Sequence, residues 1–315
     1  MSFSSTVKEE LCKVAGKPCC ELAELAALLH GGSSLQLAKG EKRLVFRAES
    51  AVVARRAFTL LKGVFSVKPQ LYALQRRTSG RKGYRVAVLG EEAALVLEAA
   101  GLLKQKGGGF TLSRRVPLSL LRRDCCKRAY LRGAFLASGY LSDPERAYHL
   151  EFTPGDESYA RSLCLFLIRR GIAAKEITRK EARLVYVKDS EQIVQLLSLM
   201  GAHAALLNME SVRVTKEVRN RVNRIVNCEQ ANIGKIMDAA QRQIAAIETI
   251  ELHSGFQKLS PALRRMAEMR VEYPDLPLKE LGELFSPPIG KSAVNHRLRK
   301  LEEIARDLSE EQGQE

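Results

Sequence analysis

The side chains best suited to chemistry stand close together near the end of this 315-residue chain, in the run KSAVNHRLRK over 291–300. Four of them could hydrogen-bond the edges of bases: Ser292, Asn295, His296 and Arg299. Three more carry charges that suit phosphate oxygens: Lys291, Arg297 and Lys300. Arginine can donate two hydrogen bonds to guanine, and asparagine pairs in a similar way with adenine. This run therefore predicts recognition of double-stranded DNA.

A helix is needed to present these side chains on one surface. Ser260 and Pro261 are typical of a helix start, and LPLKELGELF predicts a short second helix. Ser292 is the expected N-cap of the last helix, after the turn SPPIGKS. Its apolar positions predict a buried stripe opposite the base-facing residues: Val294, Leu298, Leu301 and Ala305. Three helices ending in a basic one are typical of a helix-turn-helix. The alternative is a small helical bundle with a solvated basic face.

Candidates for catalysis and metal binding are sparse elsewhere. Five histidines, at 30, 149, 203, 253 and 296, have no paired spacing. The cysteine pairs Cys19–Cys20 and Cys125–Cys126 lack CxxC spacing, so they predict small packed residues rather than a zinc site. The glycine-rich run at 104–110 lacks the Gly-Lys-Ser/Thr ending of a phosphate loop and predicts a linker. We therefore expect no catalytic residue, no metal and no cofactor.

Each cysteine pair begins one copy of an internal repeat. The offset that relates Cys19 to Cys125 also relates Leu44 to Leu150. In each copy a small residue occupies every fourth position, first at Ala23, Ala27 and Gly31, then at Ala129, Gly133 and Ala137. Positions four apart lie on one helix face, so these two helices are predicted to pack closely about a pseudo-two-fold axis.

Both copies continue in the same order, which predicts the unit α-β-α-β-β-α. The first strand, 42–48, alternates polar and apolar residues, and this pattern directs Arg43 and Arg47 away from the core. The turn TSGRKG of the following hairpin, with the residues just before it, carries a basic tip suited to phosphates: Arg76, Arg77 and Arg81.

The charge balance agrees with a polyanionic partner. The chain has 51 lysines and arginines against 36 acids, a net charge of +15. Such an excess suits nucleic acid, although a basic protein without that partner would share it. The first residues do not resemble a signal peptide, and no stretch approaches the length of a membrane span. We therefore expect a cytoplasmic protein with reduced thiols and no membrane partner.

The second repeat helix contains Leu131-Arg-Gly-Ala-Phe-Leu-Ala-Ser-Gly139, which resembles the motif of LAGLIDADG homing endonucleases. The first copy, Leu25 to Ser33, resembles it more loosely. With Asn223-Arg224-x-x-Asn227 and the basic last helix, essentially the whole chain resembles the WhiA family of bacterial DNA-binding regulators. The resemblance implies an α+β fold, in which a duplicated LAGLIDADG-like domain precedes an all-α helix-turn-helix domain.

The resemblance also decides what chemistry to expect. In active homing endonucleases the residue before the final glycine is acidic in both helices, and the two carboxylates hold divalent metal. The matching positions here are Gly32 and Ser138, and neither is a charged ligand. The implied function is a sequence-specific transcriptional regulator without nuclease activity, in sporulation or in cell division and chromosome segregation control. A metal-dependent endonuclease with displaced carboxylates and a protein-docking adaptor on DNA are the alternatives.

The predicted domains are a scaffold over 1–205, a linker helix over 206–232 and a helix-turn-helix domain over 233–315. The scaffold halves are about 1–105 and 115–205. Linker arginines at 219, 221 and 224 either contact phosphate or belong to a polar interdomain helix. Double-stranded DNA is the expected partner, and RNA polymerase or another transcription factor is a candidate one. The sequence leaves the oligomeric state open, with a monomer expected. We expect the protein in the cytoplasm, associated with the nucleoid.

Overall fold

A computed structural model describes residues 2–38, 41–75, 82–106, 109–179 and 182–312. The chain divides into two compact units, Met1–Thr215 (unit 1) and Lys216–Glu315 (unit 2). Within the described ranges, no helix is both long and apolar enough to cross a bilayer.

The first half of unit 1 places helices on one face of an antiparallel sheet. Its elements are α1 (Phe3–Leu11), α2 (Pro18–Gly32), β1 (Ser33–Ala38), β2 (Glu41–Ala48), α3 (Ala51–Phe65), β3 (Gln70–Gln75), β4 (Lys82–Leu89) and α4 (Gly90–Ala99). The strands lie in the order β1-β2-β4-β3. Leu44 and Phe46 of β2 point into the core, as their alternation with polar neighbours predicts.

The second half repeats this arrangement. A hairpin, β5 (Leu103–Lys106) and β6 (Gly109–Leu112), separates the halves. The elements that follow are α5 (Asp124–Ser138), β7 (Gly139–Leu141), β8 (Leu150–Phe152), α6 (Glu157–Ile168), β9 (Lys175–Arg179), β10 (Ala182–Val187) and α7 (Ser190–Met200). Their sheet order, β7-β8-β10-β9, matches the first sheet. The predicted internal repeat is thereby confirmed.

One detail of the predicted repeat is wrong. Each copy has an extra strand, β1 or β7, so the unit is α-β-β-α-β-β-α. Ser33 and Gly139 take extended backbone angles directly at the helix ends, so each copy enters its sheet without the turn that would have signalled a strand. The run at 104–110, predicted as part of the linker between the repeats, does lie between them, and its described residues belong to β5 and β6.

Helices α2 and α5 approach until their backbones touch. A Cβ at Gly133 would overlap the carbonyl oxygen of Glu24 and lie 2.9 Å from the Cβ of Ala27. Nearer the other end of the pair, a Cβ at Gly31 would lie 2.8 Å from that of Ala137. Real Cβ atoms do not come this close, so the small residues set the spacing of the two helices. The predicted close packing of the two stripes is confirmed.

A buried ion cluster crosses this helix pair. The Glu24 carboxylate is 0% exposed and accepts from Arg56 Nε at 2.7 Å and Arg132 Nη2 at 2.8 Å. Arg132 also donates to the Met200 carbonyl at 3.2 Å, and Arg56 to that of Val14 at 2.9 Å. The hydrogen bond to Glu24 raises the pKa of Arg56. The cluster joins α2, α3, α5 and the end of α7, and the repeat pattern gave no sign of it.

Unit 2 is helical where it is described. The elements that follow α7 are α8 (His203–His253), α9 (Pro261–Glu272), α10 (Leu278–Glu283) and α11 (Lys291–Gln312). α8 begins in unit 1, and it continues through position 232, where the linker helix was expected to end. A predicted linker and a predicted separate helix are thus one element, since no proline interrupts 203–253. The domain bounds at 205 and 233 stay predictions.

We expect Gly133→Ala to lower the stability of unit 1 by roughly 1–3 kcal/mol or more, because the added methyl must push two backbones apart. Thermal and urea unfolding would measure the loss. Gly63→Ala on α3 is the matched control, since a Cβ there would meet no described atom within 4 Å. That control should be neutral or stabilising, as alanine favours helix. Equal stability of both variants would contradict backbone contact at Gly133.

We expect Glu24→Gln to destabilise unit 1 by about 3–5 kcal/mol, because buried Arg132 and partly buried Arg56 lose their counter-charge. Glu210→Gln is the control, since its 2.8 Å pair with Arg213 is partly exposed and such pairs contribute only about 0–1 kcal/mol. Urea unfolding of both variants gives the comparison. A loss at Glu24 no larger than that at Glu210 would contradict the buried cluster.

Candidate nucleic-acid interface

The last helix is fixed by an apolar stripe. Four of its residues are buried in the core of unit 2: Val294, Leu298, Leu301 and Ala305. They share that core with Met266 of α9 and Leu281 of α10. The predicted stripe is confirmed, and it leaves the opposite face of α11 for solvent or a ligand.

The connection between α10 and α11 depends on Gly282. A Cβ there would overlap the carbonyl oxygen of Ile289 and lie 3.1 Å from a methyl of Val294. The Gly282 carbonyl in turn accepts from the Ile289 amide at 3.0 Å. The chain therefore folds back directly over α10 before α11 begins.

The connection between α9 and α10 is held by a buried arginine. Arg270 is 2% exposed and donates through Nη1 to the carbonyls of Tyr273, Pro274 and Leu276, at 3.3, 3.2 and 2.9 Å. Its burial lowers its pKa. The sequence did not predict this residue's burial, because arginine in a basic chain is usually at the surface. Its spacing of four residues from Met266 and three from Ala267, which puts it on the apolar stripe of α9, was the available signal.

The start of α11 differs from the prediction. The amides of Ala293 and Val294 donate to the Gly290 carbonyl at 2.9 and 3.1 Å, and the helix begins at Lys291. Gly290 therefore occupies the N-cap position, two residues before Ser292, which was the expected N-cap. Ser292 lies instead within the first turn and is exposed.

The exposed face of α11 gathers the residues proposed for base reading. Ser292, His296 and Arg299 are exposed, and Asn295 is partly so. Lys300 is paired with Glu303 at 3.0 Å, which lowers the pKa of that carboxyl. Among the described residues, Arg299 has no such acidic partner. Its guanidinium is thus available to an incoming acceptor.

The residues proposed for phosphate contact differ in their surroundings. Lys291 is exposed at the first turn of α11. The Arg297 guanidinium lies 5.9 Å from the centre of the Phe285 ring, which restrains it near the turn. The Lys300 ammonium is paired with the Glu303 carboxylate. Lys291 and Lys300 lie on either side of the residues proposed for base reading, whereas Arg297 lies next to the buried stripe of α11.

The first sheet of unit 1 has an arginine-rich outer face. Arg47 of β2 is opposite Arg85 of β4, and Arg85 is opposite Tyr72 of β3. The Arg43 guanidinium lies 5.8 Å from the centre of the Tyr72 ring. Arg85 was missed, although the alternation of YRVAVL and the hairpin register point to it. The predicted tip residues Arg76, Arg77 and Arg81 lie outside the described residues.

Gly32 and Ser138, the positions that the LAGLIDADG motif assigns to acids, lie where α2 and α5 end side by side. A Cβ at Gly31, next to Gly32, would be 3.5 Å from Ser138 Oγ. At Gly32 itself a Cβ would lie only 2.7 Å from the Phe46 ring, so a carboxylate there requires Phe46 to move. The Ser138 hydroxyl donates to the Ala134 carbonyl at 3.2 Å. Neither position supplies the charged oxygen that a hard cation prefers.

We expect the full-length chain to cut no duplex in Mg²⁺ or Mn²⁺, because both positions lack a carboxylate. Incubation with supercoiled and linear DNA, followed on gels, would measure this. Asp143, in the loop after β7, is the acid nearest in sequence to Ser138, and its carboxylate accepts from the Glu145 amide at 3.0 Å. Cleavage by wild type that Asp143→Asn abolishes would overturn the prediction. Cleavage that survives every carboxylate substitution would identify a contaminant.

Comparison with known families gives three successive matches. Residues 18–103 match the WhiA N-terminal LAGLIDADG-like domain, and residues 127–219 match the WhiA LAGLIDADG-like domain. Residues 222–305 match the WhiA C-terminal HTH domain. The boundary between the last two matches falls within α8.

Curated relatives match over nearly their full length. The chain is 48% identical over 320 residues to "Probable cell division protein WhiA" of Heliobacterium modesticaldum, covering 99% of this chain and 98% of that protein. It is 45% identical over 315 residues to the protein of the same name from Alkaliphilus oremlandii, covering 98% of each.

A solved structure shares the fold. The crystal structure of full-length DUF199/WhiA from Thermatoga maritima matches 98% of this chain and 99% of its own, with a TM-score of 0.58 and 24% identity. At this identity the likeness concerns the fold, and it agrees with the α+β class expected from the sequence.

Proposed function

Because the chain belongs to the WhiA family, we propose that it is a sequence-specific DNA-binding regulator of cell division without nuclease activity. The exposed face of α11, with Arg299 free of any described acidic partner, is the observation that carries the proposal. The names of the two relatives support a role in cell division, and the match to the WhiA HTH domain supports DNA as the ligand.

Base recognition is assigned to the N-terminal half of α11. A helix fits the major groove of DNA, where each base pair presents a distinct pattern of donors and acceptors. Arg299 would donate to guanine, and Asn295 would pair with adenine, with Ser292 and His296 beside them. Lys291, Arg297 and Lys300 would hold the flanking phosphates. Glu303, one turn beyond Arg299, would mark the end of the contact surface because it repels phosphate.

The outer face of the first sheet in unit 1 is assigned a supporting role. Arg43, Arg47 and Arg85 carry positive charge without the dense set of polar groups that reads bases. Their contacts would be with phosphates, and they would depend on salt and not on sequence. Arg76, Arg77 and Arg81 would extend this surface.

We further propose that the protein regulates transcription. A protein that selects sites and lacks cleavage chemistry can act by recruiting or blocking other proteins, with RNA polymerase or a second transcription factor as the partner. It would be located at the nucleoid and act in cell division and chromosome segregation, or in sporulation. Mapping its chromosomal sites and the transcripts that change on its depletion would test this part.

We expect Arg299→Ala to lower affinity for the target by roughly 1–3 kcal/mol while barely changing affinity for random duplex. Lys300→Ala should weaken both, and it should reduce the slope of log affinity against log salt by about 0.9. Target fragments would be selected from genomic DNA with the full-length chain, and binding would be followed by fluorescence anisotropy across a salt series.

Arg306→Ala provides the matched control, because it removes an exposed arginine from the later half of α11. It should leave the preference for target over random duplex unchanged. If the combined Asn295→Ala, His296→Ala and Arg299→Ala variant keeps full preference, α11 is not the reader. The sheet face of unit 1 would then become the candidate.

A further inference from the structure

The two cysteine pairs, which are far apart in sequence, meet in the structure. Cys19 and Cys20 lie in the first turn of α2, and Cys125 and Cys126 lie in the first turn of α5. All four Sγ atoms are within 4.8 Å of one another, and they are 4.0 Å apart within each pair. In the described part of the chain, this is the one group of three or more potential metal ligands. We call it the thiol cluster.

The dimensions of the thiol cluster suit a single zinc ion. Four sulfurs placed tetrahedrally at the usual Zn–S distance of about 2.3 Å are about 3.8 Å from one another. The 4.0 Å separation within each pair is already close to that value, so small side-chain rotations would bring all four sulfurs onto one ion. An iron–sulfur cube has several metal atoms, and its thiolates must stand further apart than these.

The burial of the four side chains fits a structural site with an entrance. Cys20 and Cys126 are buried, Cys19 is partly buried and Cys125 is exposed. The thiol of Cys126 donates to the Cys19 carbonyl oxygen at 3.5 Å, so the two helix starts are already in contact. An ion can therefore enter from the Cys125 side without separating the helices.

The surrounding charges favour thiolates. Zn²⁺ bound by four thiolates carries two net negative charges, which need compensation. Arg123 Nη1 lies 4.0 Å from Cys19 Sγ. Both cysteine pairs also occupy helix N-termini, where the partial positive charge of the helix dipole stabilises anions. Two acids, Glu21 and Asp124, share these first turns, and Asp124 is already paired with Arg170. Arg123 and the two helix N-termini are therefore the groups that would compensate the negative charge.

We propose that Cys19, Cys20, Cys125 and Cys126 bind one Zn²⁺ and so tie the two halves of unit 1 together at the start of the α2–α5 pair. Binding converts four thiols and one Zn²⁺ into a tetrathiolate complex and releases four protons. With four protein ligands no position stays open for water, so the ion stabilises structure and does not activate a nucleophile. The sequence predicted no zinc site, because the expected CxxC spacing is that of two ligands supplied by one loop. Here two adjacent cysteines come from each repeat.

Cobalt substitution of the full-length chain provides the test. The reduced protein would be stripped with a chelator and titrated with Co²⁺, then with Zn²⁺, under exclusion of air. We expect saturation at one Co²⁺ per chain, with the intense visible absorption of a tetrahedral thiolate complex, and bleaching by Zn²⁺. The melting temperature should rise on addition of Zn²⁺ and fall again with chelator.

Three variants separate the thiol cluster from other thiols. Cys19→Ser combined with Cys125→Ser should abolish the cobalt spectrum and the zinc-dependent rise in melting temperature. Cys228→Ser, on the exposed part of α8, should keep both. Cys125→His alone should also keep tetrahedral binding with a shifted spectrum, because zinc accepts three cysteines and one histidine.

Three results would overturn the proposal. The first is a reduced, folded wild type that binds no stoichiometric Co²⁺ or Zn²⁺. The second is a spectrum unchanged in the Cys19→Ser, Cys125→Ser variant. The third is quantitative pairing of the four cysteines as disulfides in protein prepared under reducing conditions, seen by mass spectrometry. Circular dichroism of each variant would establish that it is folded before its result is counted.

Discussion

One contact sets the geometry of unit 1, namely the place where Gly133 lies against the Glu24 carbonyl. No side chain fits between the two helices there, so α2 and α5 run together along their length. The starts of the two helices then bring the cysteine pairs together, and their ends bring Gly31 beside Ser138. The contact in the middle of the helix pair therefore determines both the meeting of the cysteine pairs and the approach of Gly31 to Ser138.

That spacing does not depend on charged groups at the helix ends. Gly32 and Ser138 supply no carboxylate there, and the contact at Gly133 sets the distance between the helices in the middle of the pair. At Gly32 a Cβ would lie 2.7 Å from the Phe46 ring, so the space beside the helix end is apolar where a metal site would need polar groups. The site and the fold are therefore separable here. Zinc at the opposite end would contribute stability alone.

The sequence predicted what depends on periodicity, and it failed where a contact is formed by residues far apart. The small-residue stripes, the inward residues of β2 and the buried stripe of α11 follow from spacing within one element. The strands β1 and β7 were missed because each follows its helix without a turn. Two features join segments that are distant in sequence, and no local pattern predicts them: the Glu24 cluster and the thiol cluster. Ser292 was misplaced as a cap because Gly290, lacking a side chain, closes the turn first.

The Glu24 cluster makes the two halves unequal partners, despite their shared topology. In the repeat, Tyr130 occupies the place of Glu24, and its hydroxyl is 3.4 Å from that of Tyr159. A pair of first halves would lose both copies of Arg132 but keep each Glu24 carboxylate beside the Arg56 of its own half. A pair of second halves would bury two copies of Arg132 without any carboxylate, and uncompensated charge in the interior is strongly destabilising. The second half therefore depends on the first for the counter-charge of its buried arginine, and fusion into one polypeptide satisfies that dependence.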